Sequence, residues 1–109
     1  MDQGTFDKLL ERRMEKMNNV LAAKGQEYGG VDRLHNFKIA ANIGNKTITP
    51  EQALWGMLRK HLVSVIDMID DTARDIPASI PRIDDKIGDT INYMVLLEAL
   101  LVERISQRQ

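Results

Sequence analysis

Residues 49–73, TPEQALWGMLRKHLVSVIDMIDDTA, open on the strongest helix-start signal in the chain. Thr49 suits an N-cap, Pro50 the first turn, and Glu51 the positive end of the helix dipole, while Gln52 completes a capping box. Leu54, Leu58, Leu62, Val65, Ile69 and Ala73 then recur at steps of three and four, which marks one apolar stripe of a long helix. Trp55 lies near that arc and is expected to pack there. His61 projects toward its edge, and Lys60, Ser64, Asp67 and Asp71 form the opposite stripe.

Downstream, Pro77 and Pro81 end this helix and form a connector, and a last helix is expected near Asp84. Ile83, Ile87, Ile91, Met94, Leu101 and Ile105 share one of its faces. Residues 94–102, MVLLEALLV, are apolar around most of the circumference, and such a helix needs neighbours on all sides. One small chain has few to offer, so a homo-oligomer is expected. Glu98 falls within the apolar face, paired with a base or joining a ligand shell. Upstream, Phe6, Leu10, Met14, Met17 and Leu21 predict a first helix, with Thr5 as N-cap and Gly25 as its end. Residues 33–43 predict a short helix closed by Gly44. No alternating strand pattern and no repeat occurs. The expected fold is all-α: one domain over residues 1–109, a small bundle of three long helices and one shorter one, completed by homo-oligomerisation.

Composition narrows the function classes. The 109 residues carry 15 Lys and Arg against 16 Asp and Glu, a net charge of -1, which argues against a nucleic-acid partner on charge grounds. There is no cysteine, so disulfide scaffolds and Cys-ligated zinc are excluded. With only His35 and His61, a histidine-rich metal site is excluded too. No apolar run approaches the roughly 20 residues that span a bilayer. Met1-Asp2-Gln3-Gly4 lacks the order of a signal peptide. A cytoplasmic protein with no membrane partner is the expectation.

Between Asp67 and Asp89 stand seven aspartates and no glutamate. Aspartate is a poor helix former. Asp84 and Asp85 fit a helix start, but Asp67, Asp70, Asp71 and Asp89 fall inside helices. Asp67 and Asp71 are four apart, as are Asp85 and Asp89, and each like-charge pair costs about 0.2–0.5 kcal/mol in an isolated helix. A hard cation such as Mg²⁺ would offset that cost, so four carboxylates converging across an antiparallel seam form a candidate metal site. Asn92 extends the Asp89 face, and Leu96 and Ala99 continue it in apolar form, as at the floor of a cleft. The alternative is a solvated face, with Asp70 paired to Arg74 and Asp89 to Lys86.

Lys24-Gly25-Gln26-Glu27-Tyr28-Gly29-Gly30 is a glycine-rich turn, either a plain connection or a cradle for a ligand; it lacks P-loop spacing. Arg33, Asn36 and Phe37 offer guanidinium, amide and ring contacts to a nucleotide, although Phe37 also suits a core. Lys60 can neutralise a phosphate or form a salt bridge.

Lys24-Gly25-x-Glu27-Tyr28-Gly29, Asp32-Arg33-x-x-Asn36-Phe37, Thr49-Pro50-Glu51-x-Ala53, Lys60-His61-x-x-Ser64 and Lys86-Ile87-Gly88-Asp89-x-x-Asn92-Tyr93-x-x-Leu96-Leu97 together resemble the phage and prophage nucleotide-modification-associated domain family, over roughly residues 24–103. Gly88-Asp89-x-x-Asn92-Tyr93 also looks like the second metal motif of the helical MazG-like nucleoside triphosphate pyrophosphohydrolases. That likeness implies Mg²⁺, a dimer or tetramer, and Asp67, Asp71, Asp85 and Asp89 as metal ligands. Those enzymes use mostly glutamates, whereas all four positions here are aspartate and Lys86 stands where a second acid often lies. Shorter side chains need a tighter seam or fewer metals.

Three functions follow as expectations. The first is a Mg²⁺-dependent nucleotide pyrophosphohydrolase, with Lys60 and Asp89 catalytic and Lys24, Glu27, Tyr28, Arg33, Asn36, Phe37, His61 and Asn92 around the ligand. The second is a non-catalytic protein that sequesters a nucleotide or cyclic nucleotide against host defence. The third is a helical interaction module docking through its apolar last helix.

Overall fold

The capping box at Thr49 forms as its residue types dictate. Thr49 Oγ1 accepts from the Gln52 N–H at 3.1 Å, and Gln52 Oε1 accepts from the Thr49 N–H at 2.9 Å. The helix that follows, Pro50–Ala73, is one of four in the computed structural model, which describes residues 1–27, 32–43 and 47–108, without the side chains of 24–27. In chain order they are α1 (Gln3–Glu27), α2 (His35–Ala40), α3 (Pro50–Ala73) and α4 (Ile80–Ser106). All the regular structure among the described residues is helical, as the periodicity predicts. No described helix is long and apolar enough to cross a membrane.

Several boundaries differ from the sequence reading, and α2 keeps to His35–Ala40 within the expected 33–43. Asp2, not Thr5, caps α1: its carboxylate accepts the Thr5 N–H at 2.7 Å. The α1 backbone continues through residue 25 to Glu27, so Gly25 does not end it. α4 starts at Ile80 rather than near Asp84, because Ser79 caps it by accepting the Arg82 N–H at 3.3 Å. Pro81 therefore sits in a first turn, where its missing N–H costs nothing, and Asp84 and Asp85 belong to the second. α3 closes in a Schellman turn, with the Ile76 N–H on the Asp71 carbonyl and the Asp75 N–H on that of Thr72. Asp75 supplies the left-handed residue of that turn, at φ 63. Gly44 lies outside the described residues.

α3 and α4 are antiparallel. His61 meets Asp89 in their middle, Asp71 meets Arg82 at one end, and Glu51 meets Arg104 at the other. α2 lies on α3, and α1 runs parallel to α4 and packs along it. Leu34, Phe37, Leu54, Leu58 and Leu100 form the enclosed core, with Met57, Leu62, Tyr93, Leu96 and Leu97 packed against it. α4 thus turns its Tyr93–Leu96–Leu97–Leu100 side inward, and the expected face fares differently: Ile83, Met94, Leu101 and Ile105 are exposed. Two apolar arcs compete on this helix, and the arc interleaved with Asp89 and Asn92 wins the contact with α3. Ile69 and Trp55 are also exposed, the latter at 47%, as is Glu98.

The far end of the α3–α4 pair is held by charge. Arg104 donates through Nε and Nη2 to the two Glu51 oxygens, both at 2.8 Å. That paired bond holds the Glu51 carboxyl down to about 2 from its ordinary 4.5. The unfolded chain binds a proton on Glu51 below pH 4.5, and the folded chain does not until about pH 2. Stability from this pair is present above pH 4.5 and lost as pH falls toward 2. Arg104 is half exposed, so the expected loss is about 1 kcal/mol. Urea unfolding of wild type and Glu51→Gln across that range checks it: the variant loses less stability on acidification.

Candidate functional site

Four helices wall a cleft of about 350 Å³. Spacing on each places its lining. On α4, Asp89, Asn92, Tyr93 and Leu96 fall at steps of three, one and three along one face. On α3, Met57 and His61 are four apart, and Arg33, Asn36 and Phe37 line the cleft from α2 and the turn before it. Val20 and Leu21 close the α1 side. The wall is mostly apolar with a few convergent polar groups, the composition of a small-molecule site.

The polar groups sit on the α3–α4 seam. His61 Nδ1 lies 3.5 Å from Asp89 Oδ2, and the His61 and Tyr93 rings stack at 5.0 Å between centroids, tilted by 33°. The Asn92 side-chain oxygen is buried and has no hydrogen-bond partner among the described residues. A buried acceptor left without a donor costs about 1–3 kcal/mol, a penalty that a donor brought by a ligand would relieve.

A second cavity, of about 470 Å³, adjoins the first and shares Val20, Asp89 and Asn92 with it. Its other walls include Arg13, Lys16, Asp84, Asp85 and Gly88. Three cations of α1 converge there on one carboxylate: Arg12 Nη2 and Lys16 Nζ reach Asp84 Oδ2, both at 2.6 Å, and Arg13 Nη2 reaches Oδ1 at 2.9 Å. The Lys16 hydrogen bond, aided by the two arginines, holds the Asp84 carboxyl below its ordinary range. Arg13 Nη1 also donates to the Asp84 carbonyl at 3.3 Å. A Cβ on Gly88 would lie 2.5 Å from that Nη1. Glycine leaves the guanidinium room to lie against α4, and a larger residue there would make the arginine tip move.

The sequence-derived ligand set divides accordingly. Arg33, Asn36, Phe37, His61 and Asn92 meet in the cleft together with Asp89. Lys24, Glu27, Tyr28 and the rest of the glycine-rich turn lie outside the described residues or side chains. Lys60 is exposed and lines neither cavity.

The four aspartates do not gather. Asp67 is exposed, and Asp71 is held by Arg74 at 2.6 Å and Arg82 at 3.6 Å. Asp85 lies 3.6 Å from Lys86, and only Asp85 and Asp89 border the same cavity. Among the described residues no group of three or more His, Cys, Asp or Glu side chains is placed to hold a metal ion. The antiparallel register explains this. Asp71 faces Arg82, seven residues before Asp89, or about 10 Å along the α4 axis. Within one chain the residues therefore do not fit a four-carboxylate Mg²⁺ cluster. The solvated-face pairings differ too: Arg74 takes Asp71 rather than Asp70, and Lys86 takes Asp85 rather than Asp89.

Sequence reasoning missed Tyr93 and Met57 as lining residues and the whole Arg12–Arg13–Lys16 cluster. Two signals point to the cluster. Cations at steps of one and three on an amphipathic helix share an edge, and a glycine inside α4 costs about 1 kcal/mol against alanine, which flags a position where a neighbour lies close.

No family model, curated protein or solved structure matches this chain.

Proposed function

We propose that the protein binds a nucleotide-like small molecule in the cleft. The observation that carries this is the meeting of Arg33, Asn36, Phe37, His61, Asp89 and Asn92 around one cavity, although they are scattered over some sixty residues of sequence. The aromatic rings offer faces on which a flat base can stack. Asn92 and Asp89 offer acceptors for exocyclic amines, and Arg33 and Asn36 offer donors for ring carbonyls or sugar hydroxyls. A base that donates to the Asn92 oxygen removes its desolvation penalty on binding, which makes the polar contact selective. The motif resemblance to the nucleotide-modification-associated family points to the same ligand class. Sequestration, in the cytoplasm of a phage-infected host, is the role this suits.

Mg²⁺-dependent pyrophosphohydrolysis is the second reading, favoured by Asp85 and Asp89 standing one helical turn apart on one cavity wall. Two carboxylates leave most of a Mg²⁺ shell to phosphates and water. Calorimetric titration with nucleosides and nucleotides, with and without Mg²⁺, separates the two. Metal-independent binding with intact recovery supports sequestration, and pyrophosphate release only in Mg²⁺ supports hydrolysis. No heat with any base overturns both.

We further propose that the chain works as a homodimer. Its accessible surface is 8023 Å², against about 6,100 Å² for a globular monomer of this mass. Its radius of gyration is 16.7 Å, against about 13 Å for a chain of this length. The surplus area exceeds the roughly 800 Å² that each partner of a standard interface buries. Much of it is apolar: Phe6, Leu9, Leu10 and Met14 on α1, Val63, Ile66 and Ile69 on α3, and Leu101 and Ile105 on α4 are all exposed. Sedimentation equilibrium in the micromolar range is expected to give twice the chain mass. Phe6→Glu or Ile66→Glu is expected to shift it toward the monomer; a monomeric wild type sinks the idea.

A further inference from the structure

We infer that the cationic cluster of α1 is an anion subsite, built for the phosphate or diphosphate of a ligand whose ring end occupies the neighbouring cleft. Only its pairing with a ring rests on the nucleotide reading; the anion subsite stands on its own geometry.

Charge balance is the first support. Arg12, Arg13 and Lys16 all turn to Asp84, and one carboxylate with two oxygens cannot saturate two guanidinium forks and an ammonium. The other carboxylates on this cavity have different neighbours, Asp85 facing Lys86 and Asp89 facing His61. The cluster therefore keeps donors and positive charge beyond what Asp84 takes up. A phosphate offers three oxygens and nearly two charges, a better match than the aspartate it would join or displace.

Construction is the second. Arg13 is the least exposed of the three cations, at 18%. Its guanidinium is held by two bonds to Asp84, one of them to the backbone, in the space that Gly88 leaves open. A glycine spent inside a long helix to seat one arginine is not needed for a surface salt bridge.

Continuity is the third. The cavity of about 470 Å³ that Arg13 and Lys16 line meets the cleft of about 350 Å³ at Asp89 and Asn92. An elongated ligand with a flat end and an anionic end would lie across that border with its ring toward Phe37 and its anion toward Arg13.

Inorganic pyrophosphate is the direct probe, titrated calorimetrically into the full chain in low-salt buffer with EDTA. Wild type is expected to bind, and added salt to weaken the binding. Lys16→Gln is expected to weaken it about tenfold, and Asp84→Asn, which removes the competing charge, to tighten it several-fold. Gly88→Ala displaces the Arg13 guanidinium while favouring the helix; it too should weaken binding, and it keeps the test valid if Asp84→Asn does not fold. Binding that appears only with Mg²⁺ would assign the site to Asp85 and Asp89 and overturn the inference. So would the absence of binding, or affinities indifferent to Lys16→Gln and Gly88→Ala. A parallel titration with phosphate-free nucleosides separates the two ideas. Nucleosides that bind as tightly as their phosphates sink the anion subsite alone; pyrophosphate binding without any nucleoside binding sinks the nucleotide reading alone.

Discussion

Leu58→Ala is expected to cost the fold about 3 kcal/mol, within the range for leucine truncation in a packed core. Leu58 and Leu54 are the largest side chains with no exposure, and they stand one turn apart on α3, where α2 and α4 both lean on that helix. A domain of this size has about 5–15 kcal/mol to lose. Its enclosed core is short, so little neighbouring side chain is free to collapse into the void. Removing one core leucine should lower the melting temperature by roughly 10–20 °C. Val102→Ala on α4 is the control: Val102 is exposed, and its truncation is expected to stay within about 0.5 kcal/mol in dilute protein. Urea unfolding of both variants at two protein concentrations checks the pair, because a dimer makes the midpoint concentration-dependent. A Leu58→Ala cost below 1 kcal/mol would mean that the enclosed cluster is not what holds α2 to α3.

The helices were legible because their signals are local. Thr49-Pro50-Glu51-Gln52 specifies its own cap whatever surrounds it, and the capping box forms as read. Which face of α4 turns inward was not legible, because two apolar arcs of similar strength share that helix and the partner decides between them. Asp89 and Asn92 marked the cleft through their placement beside Leu96, a polar patch running into apolar surface, and that face does meet α3. The four-aspartate convergence failed on register. Periodicity says which residues share a face of one helix, but it is silent on how far the neighbouring helix slides along it. Asp71 opposite Arg82 is a matter of the connector's length and the Schellman turn at Asp75. The cluster on Asp84 was hidden for a related reason: Arg12 and Asp84 are 72 residues apart, and only the docking of α1 on α4 brings them together.

Asn92→Leu is expected to move stability and binding in opposite directions. Leucine keeps the branched outline of asparagine at a larger volume, which the two cavities bordering residue 92 take up, and it discards the buried oxygen that has no donor among the described residues. If that oxygen is a pure burden on the free protein, its removal should raise stability by about 1 kcal/mol, the low end of the penalty for an unsatisfied buried acceptor. Most core substitutions do the reverse. The same change takes away the acceptor that a base would meet at the junction of the two cavities, and nucleotide affinity should fall at least tenfold, about 1.4 kcal/mol. The pairing of signs is the diagnostic. A residue kept for packing or for an internal hydrogen bond loses stability when replaced, whereas one kept for a ligand gives stability back. Thermal melts of the free protein and calorimetric titration with the tightest-binding nucleotide measure the two halves. Should Asn92→Leu melt lower than wild type and still bind with unchanged affinity, Asn92 serves the fold, and the cleft loses the acceptor proposed to select its ligand.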